Sequence, residues 1–207
     1  MRFLAASLLT LITAAPLLAQ EMQMPTVAPG APIASRAVAG TYKVDSDHTQ
    51  VLFSVSHLGF SLYTGQFVQP TGTLVLDPKN PARDRVEISF PIAKVSTTTP
   101  ALDAELVKPD FFDAAKYPEG KFVSTRVTVK GLTATIAGNL TIKGITKPVV
   151  LHARLVGAGR EFWGDKKAAI GFTATATIKR SDFGLKSGIP LVSDRVDLTI
   201  NAAFEAQ

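Results

Sequence analysis

Three histidines carry most of the chemical potential of this 207-residue chain, which contains no cysteine. His48 lies in Asp45-Ser46-Asp47-His48-Thr49, which supplies a hydroxyl, an imidazole and two carboxylates within five residues. Those are the parts of a Ser–His–Asp relay, but a nucleophilic serine needs its base on a separate element aimed at it. Residues this close at a strand–turn boundary more often hydrogen-bond their own turn. No Gly-x-Ser-x-Gly accompanies them, so the sequence names no catalytic residue. His57 shares the parity of Val51, Phe53 and Val55, which aims it at an apolar face. There it is either a satisfied core histidine or a polar contact at the mouth of a cavity. The three histidines lack zinc-site spacing, and with no cysteine the chain offers no metal or cofactor site.

Two charged clusters add chemistry of another kind. Arg180 and Ser181 end one strand and Arg195 opens the last, and guanidinium forks suit the oxygens of an anionic head group. Pairing with Asp182 and Asp194 would instead lock a loop, which is the plainer reading. Trp163, beside Phe162 and Lys166-Lys167, suits a membrane interface or an ordinary hairpin tip.

Strands must position all of these groups. Met1-Arg2, an apolar run from Phe3 to Ile12 and an alanine-rich stretch to Ala19 read as a cleavable secretory signal, residues 1–19. About 10 apolar residues are too few to cross a ~30 Å hydrocarbon core. Residues 20–39, rich in Pro and Ala, read as a flexible linker. Residues 40–207 form one domain, and the formal net charge of +5 is scattered without a basic run that would suit nucleic acid. From Gly40 the pattern is period-2 alternation over roughly eight to ten strands, so the domain is all-β and antiparallel. Phe122, Ser124, Arg126 and Thr128 are expected on one face, opposite Val123, Val127 and Val129. Phe172, Ala174, Ala176 and Ile178 oppose Thr173, Thr175, Thr177 and Lys179. One helical insertion interrupts, with Thr99 as its N-cap and Pro100 at its first position, running to Lys108. A second short turn, Phe111 to Lys116, follows Asp110.

Alternation alone fits a sandwich or a closed barrel. Gly138, Ala153, Ala174, Ala176 and Ala202 share the apolar face with Ile, Leu and Phe, and an eight-stranded barrel is just wide enough to hold one small ligand. The small residues either open a lumen or merely fit the taper of a filled barrel.

In order along the chain, Tyr42-x-Val44-Asp45-x-x-His48-Thr49, Ser56-His57-Leu58-Gly59-Phe60, Asp110-Phe111-Phe112-Asp113, Gly138-Asn139-Leu140-Thr141-Ile142-Lys143-Gly144 and Arg180-Ser181-Asp182-Phe183-Gly184 resemble the YceI family of secreted, lipocalin-like isoprenoid-binding proteins. The family often carries a His before Asp-Phe-Phe-Asp, where this chain has Glu105-Leu106-Val107-Lys108. The resemblance implies an extended antiparallel eight-stranded barrel with a short helical insertion. It further implies a polyisoprenoid, isoprenoid quinone or similar amphiphilic lipid in the lumen, and a periplasmic address. His48, Phe53, His57, Phe112, Phe172, Ala174, Ala176 and Arg180 are the residues expected to meet it. Expected partners are that lipid and transient contact with a membrane or membrane protein, with dimerisation left open and no nucleic acid. An enzyme acting on an amphiphile through His48 or His57, and an interaction module with a solid barrel, are the competing readings.

Overall fold

The structure, a computed structural model, describes residues 24–207. The signal segment, residues 1–19, lies outside that range.

Every strand pairing among the described residues is antiparallel, as the alternation predicts. β1 (Gly40–Val44) and β2 (Gln50–His57) lie end to end along one flank of the last strand, β11 (Arg195–Ala206). The turn between them is pinned where β11 changes partner, because Thr49 Oγ1 accepts the Ala203 N–H at 3.0 Å. β3 (Ser61–Phe67) and β4 (Thr71–Leu76) repeat the arrangement one position further on, followed by β5 (Arg85–Pro91) and β6 (Val95–Ser96). The long strands β7 (Glu119–Lys130), β8 (Thr133–Ile142), β9 (Ile145–Arg160) and β10 (Ala168–Lys179) complete the circuit to β11. The result is a closed eight-stranded barrel. Closure leaves no free edge through the middle of the wall, which removes the usual aggregation hazard of a sheet.

Outward residues such as Thr175, Thr177 and Lys179 are exposed while Ala174 and Ala176 are buried. A barrel that spans a membrane has the opposite polarity, with an apolar outer band. Among the described residues, no helix is long and apolar enough to cross a membrane.

One strand breaks its expected parity. The β7–β8 register shifts between Ser124 and Arg126, leaving Thr125 as the extra residue of a bulge. The shift turns the strand over, so that Phe122 and Ser124 face inward below it while Val127 and Val129 face inward above it. A single alternation over residues 122–129 is therefore corrected to two, and Arg126 and Thr128 move to the solvent side.

Large aromatic rings lie along the inner wall over cross-strand glycines. Phe53 is opposite Gly65, Phe90 opposite Gly120, and Phe122 lies against Gly138. A Cβ at any of these glycines would fall within the contact radius of the ring above it. Gly138, expected to widen the lumen, thus makes room for Phe122.

The insertion begins at Pro100 as expected, but its helix, α1 (Pro100–Leu106), stops before Lys108. Lys108 precedes Pro109, and that position disfavours helical backbone. Thr99 occupies the N-cap without capping through its side chain. Its hydroxyl meets Tyr63 Oη at 3.0 Å, and Asp103 Oδ1 instead accepts Thr97 N–H and Thr97 Oγ1–H, each at 2.6 Å. The second short turn expected at Phe111 to Lys116 is present, and bonds such as Phe112 N–H to Leu106 O (3.0 Å) fold the segment as consecutive turns. Phe112 packs edge-on to Phe67 (5.5 Å between centroids), which anchors the insertion to the barrel end.

Residues 24–39 differ from a free linker. Ala31 exchanges two backbone hydrogen bonds with Ala158 (3.2 and 2.9 Å), a 3₁₀ turn follows at Ala34–Arg36, and Ala37 packs on the core. Gly157 and Gly159 permit this close approach, since a side chain at Gly159 would collide with Pro29 O. Absence of apolar period hid an attachment made by backbone groups.

The ring-over-glycine arrangement is open to a direct check. Gly65→Ala should destabilise the fold by about 1–3 kcal/mol through overpacking. In urea unfolding, Phe53→Ala in the same chain should recover part of that loss, giving a non-additive cycle. Additive losses would show that ring and glycine do not constrain each other.

Candidate functional site

The inward side chains leave a continuous apolar cavity of about 930 Å³ inside the barrel. That is near the upper end of pockets that enclose a single small molecule. It runs from Ala37, Pro78 and Leu132 at one end to His57, Gly188 and Val192 at the other. The strands set this length, because their inward positions continue from rim to rim.

The buried apolar side chains fall into two clusters. One joins Phe67, Phe90, Phe122 and Phe183 to the insertion through Leu106, Val107 and Phe112. The other holds Tyr42, Val44, Ile170 and Phe204 near the opposite end, where Tyr42 Oη–H donates to Val38 O at 2.7 Å.

Of the eight residues read from the sequence, six line the cavity: Phe53, His57, Phe112, Phe172, Ala174 and Arg180. His57 sits at the rim, exposed to solvent, as expected of a polar contact at a mouth. Ala176 is buried in the wall beside the cavity and does not line it. His48 does not line it.

His48 serves its own turn. Asp45 Oδ1 accepts the N–H groups of Asp47 and His48 (3.2 Å each), and Asp45 Oδ2 meets His48 Nδ1 at 2.6 Å. The hydrogen bond to Asp45, then its charge, lifts the imidazole above its ordinary pKa. The ring is 76% exposed, so water screens most of the effect. His48 is accordingly removed from the ligand-facing set.

Arg180 lines the cavity, but four of its five N–H donors are committed to backbone carbonyls. Nε–H donates to Ser193 O (2.9 Å), Nη1–H to Leu185 O (2.9 Å) and Ser187 O (2.7 Å), and Nη2–H to Val192 O (2.9 Å). Burial lowers its pKa, opposed by the charge of Asp194. Asp194 is itself held by Ser181, through the backbone N–H and the hydroxyl (2.8 Å each), which keeps its carboxyl below the usual range. Arg195 pairs with Asp197. The cluster locks the 180–194 loop, and the head-group assignment of Arg180 is corrected to that of a loop fastener.

Sequence reading missed Asp84. It sits in a Pro- and charge-rich turn with no period, yet its carboxyl is buried and lines the cavity at the Ala37 end. Oδ1 accepts the Asp77 N–H at 2.7 Å. Burial raises its pKa, partly offset by that bond. Tyr63 and Thr97 also line the cavity, but are engaged with Thr99 and Asp103. No group of three metal-ligating side chains occurs among the described residues.

Three outcomes follow from this geometry. Arg180→Met leaves up to four carbonyls without their donor and should cost roughly 3 kcal/mol or more in denaturant unfolding; an unchanged midpoint would return Arg180 to a ligand role. A raised carboxyl pKa favours folding when protonated, so the Asp84 contribution is full below the unfolded value near ~3.9 and lost as pH rises through the folded one. Asp84→Asn keeps an oxygen for Asp77 and should narrow the stability difference between pH ~4 and pH ~7. In NMR titration, His48 should titrate above the free imidazole value of ~6.5, and Asp45→Asn should bring it down.

The profile of the YceI-like domain matches residues 42–204. "Protein YceI" of Escherichia coli O157:H7 is 42% identical over 170 residues, covering 81% of this chain and 88% of the relative. Among solved structures, the Campylobacter jejuni YceI protein superposes with a TM-score of 0.65 at 30% identity, covering 73% of this chain and 90% of that one. A polyisoprenoid binding domain from Saccharophagus degradans shares the fold, with a TM-score of 0.61 at 13% identity over 82% of this chain and all (100%) of that one. On a profile match that spans nearly the whole barrel, the chain belongs to the YceI-like domain family.

Proposed function

We propose that this protein binds a polyisoprenoid, isoprenoid quinone or similar amphiphilic lipid in its barrel lumen and carries or stores it without chemical change. The observation that carries the reading is the 930 Å³ apolar cavity running from rim to rim. A solid barrel would have no such space, and covalent catalysis would need a nucleophile with its base aimed at it. Of the histidines, His48 is outside the cavity and His57 stands at its exposed rim, while among the other lining polar groups Arg180, Tyr63 and Thr97 are already bonded to protein partners. Burial of a prenyl tail is worth ~0.8 kcal/mol per CH₂, so a soluble carrier must cover most of the tail's length. Such burial discriminates weakly between tails, and finer choice falls to the polar groups at the two ends. The ligand class is supported by the fold shared with the polyisoprenoid binding domain of Saccharophagus degradans. The signal-like residues 1–19 support an extracytoplasmic, periplasmic location.

Extraction of the purified protein into organic solvent, followed by mass spectrometry, should release a stoichiometric long-chain amphiphile. Ala174→Phe should reduce that yield with modest loss of stability, because the added ring enters the lumen. Ala176→Phe, placed in the packed wall, should instead cost ~1–3 kcal/mol. Unchanged lipid content in Ala174→Phe, with a large loss of stability, would sink the reading.

A further inference from the structure

The barrel end that carries His57 has apolar side chains on its outside as well as its inside. Phe60 is 90% exposed, Leu62 75% and Leu191 63%. They stand on two loop tips, the β2–β3 turn and the 184–194 loop, which the backbone ties into one rim. Leu58 N–H donates to Leu191 O at 2.6 Å, His57 bridges Val192, and Ser193 N–H donates to Ser56 O at 2.9 Å. The lumen reaches the same rim through His57, Gly188 and Val192. None of the three exposed side chains faces the lumen, so filling it would leave them in water.

The charge pattern of the rim is equally particular. From Thr49 to Leu76 there is no Asp, Glu, Lys or Arg, and from Phe183 to Ser193 the one charged residue is Lys186. Lys186 is exposed. The adjacent Asp194 directs both carboxylate oxygens to Ser181. A rim that presents apolar tips, serines, a lysine and a histidine is complementary to an anionic lipid surface.

We propose that this rim docks on an anionic phospholipid bilayer. Phe60, Leu62 and Leu191 enter the boundary between head groups and acyl chains, Lys186 meets the lipid phosphates, and the lumen mouth opens toward the lipid. The inference rests on the reading of the lumen as a lipid site. A few loop-tip side chains offer well under the roughly 800 Å² that each partner of a stable complex contributes, which argues against a second copy as the occupant. They suit shallow, reversible attachment, as a carrier that must leave the surface requires.

The protein contains a single tryptophan, Trp163, on the β9–β10 turn at the opposite end, so orientation can be read directly. The mature chain should float with phosphatidylethanolamine vesicles containing a quarter phosphatidylglycerol. Phe60→Ser/Leu191→Ser should bind about a hundredfold more weakly, roughly tenfold for each side chain. Its extracted lipid should be unchanged. In Phe60→Trp/Trp163→Phe, emission should shift to the blue when vesicles are added, while Trp163 of the unaltered chain should not respond. Self-association that Phe60→Ser abolishes, without vesicle binding, would overturn the proposal in favour of a dimer face. A response of Trp163 with a silent probe at position 60 would overturn it in favour of the other end. Vesicle binding by a chain that yields no lipid on extraction would remove the carrier reading and leave the docking surface standing.

Discussion

A barrel that stays hollow cannot let its largest inward side chains meet at the axis. Here the rings of Phe53, Phe90 and Phe122 are laid over Gly65, Gly120 and Gly138, flat to the wall. An inward ring with a β-carbon opposite it would be driven toward the centre of the lumen. Phe67 then bridges Phe53, Phe90 and Phe112 at centroid separations of 4.8–5.5 Å, so the rings support one another around the wall. An apolar void forfeits dispersion contacts on its inner surface, which favours collapse. The closed ladder of backbone bonds and the aromatic belt oppose that collapse, and the remaining features depend on their success.

The barrel ends are held by a different device, in which buried and half-buried polar side chains hold backbone. Arg180 gathers four carbonyls of one loop, Asp194 fixes the start of the same loop, and Asp103 ties α1 to the strand segment before it. Thr49 does the same where β1 passes to β2. Each of these groups would be costly to bury unpaired, and each is paired. The same economy explains why so few polar atoms remain free to meet a ligand along the lumen.

The strands, their antiparallel order and most of the inward faces were legible because period 2 is imposed by the pleat itself. What escaped were local events that alternation does not encode. A bulge at Thr125 inverts half of β7 with no glycine or proline to announce it. The helix expected to reach Lys108 ends at Leu106, because Pro109 disfavours helical backbone at the residue before it. Ala174 and Ala176 are equivalent by parity, yet only the first borders the cavity, since the lumen's width varies along the barrel. Among charged residues the sequence could say which were near a turn, as with His48 and Arg180. It could not say which of their donors the turn itself would consume. Asp84 was hidden for the converse reason, a buried group in a segment that reads as surface loop.

These commitments shape what the lumen can select. Along its length the wall is apolar, and a flexible tail gains free energy there in proportion to area, with little regard to sequence of branches or double bonds. Polarity returns at the ends, and it differs between them. One end offers Asp84, a carboxyl whose pKa burial raises, beneath the segment 31–37 that crosses the rim. The other offers His57 on an open rim. A ligand with one polar head therefore meets two unlike termini, a buried acid under a strap and an imidazole in contact with water. A hydrated or anionic head is favoured at the imidazole, where desolvation is least. For an amphiphile bound as proposed, the head group would set the direction of threading and the tail would decide how much of the barrel is filled.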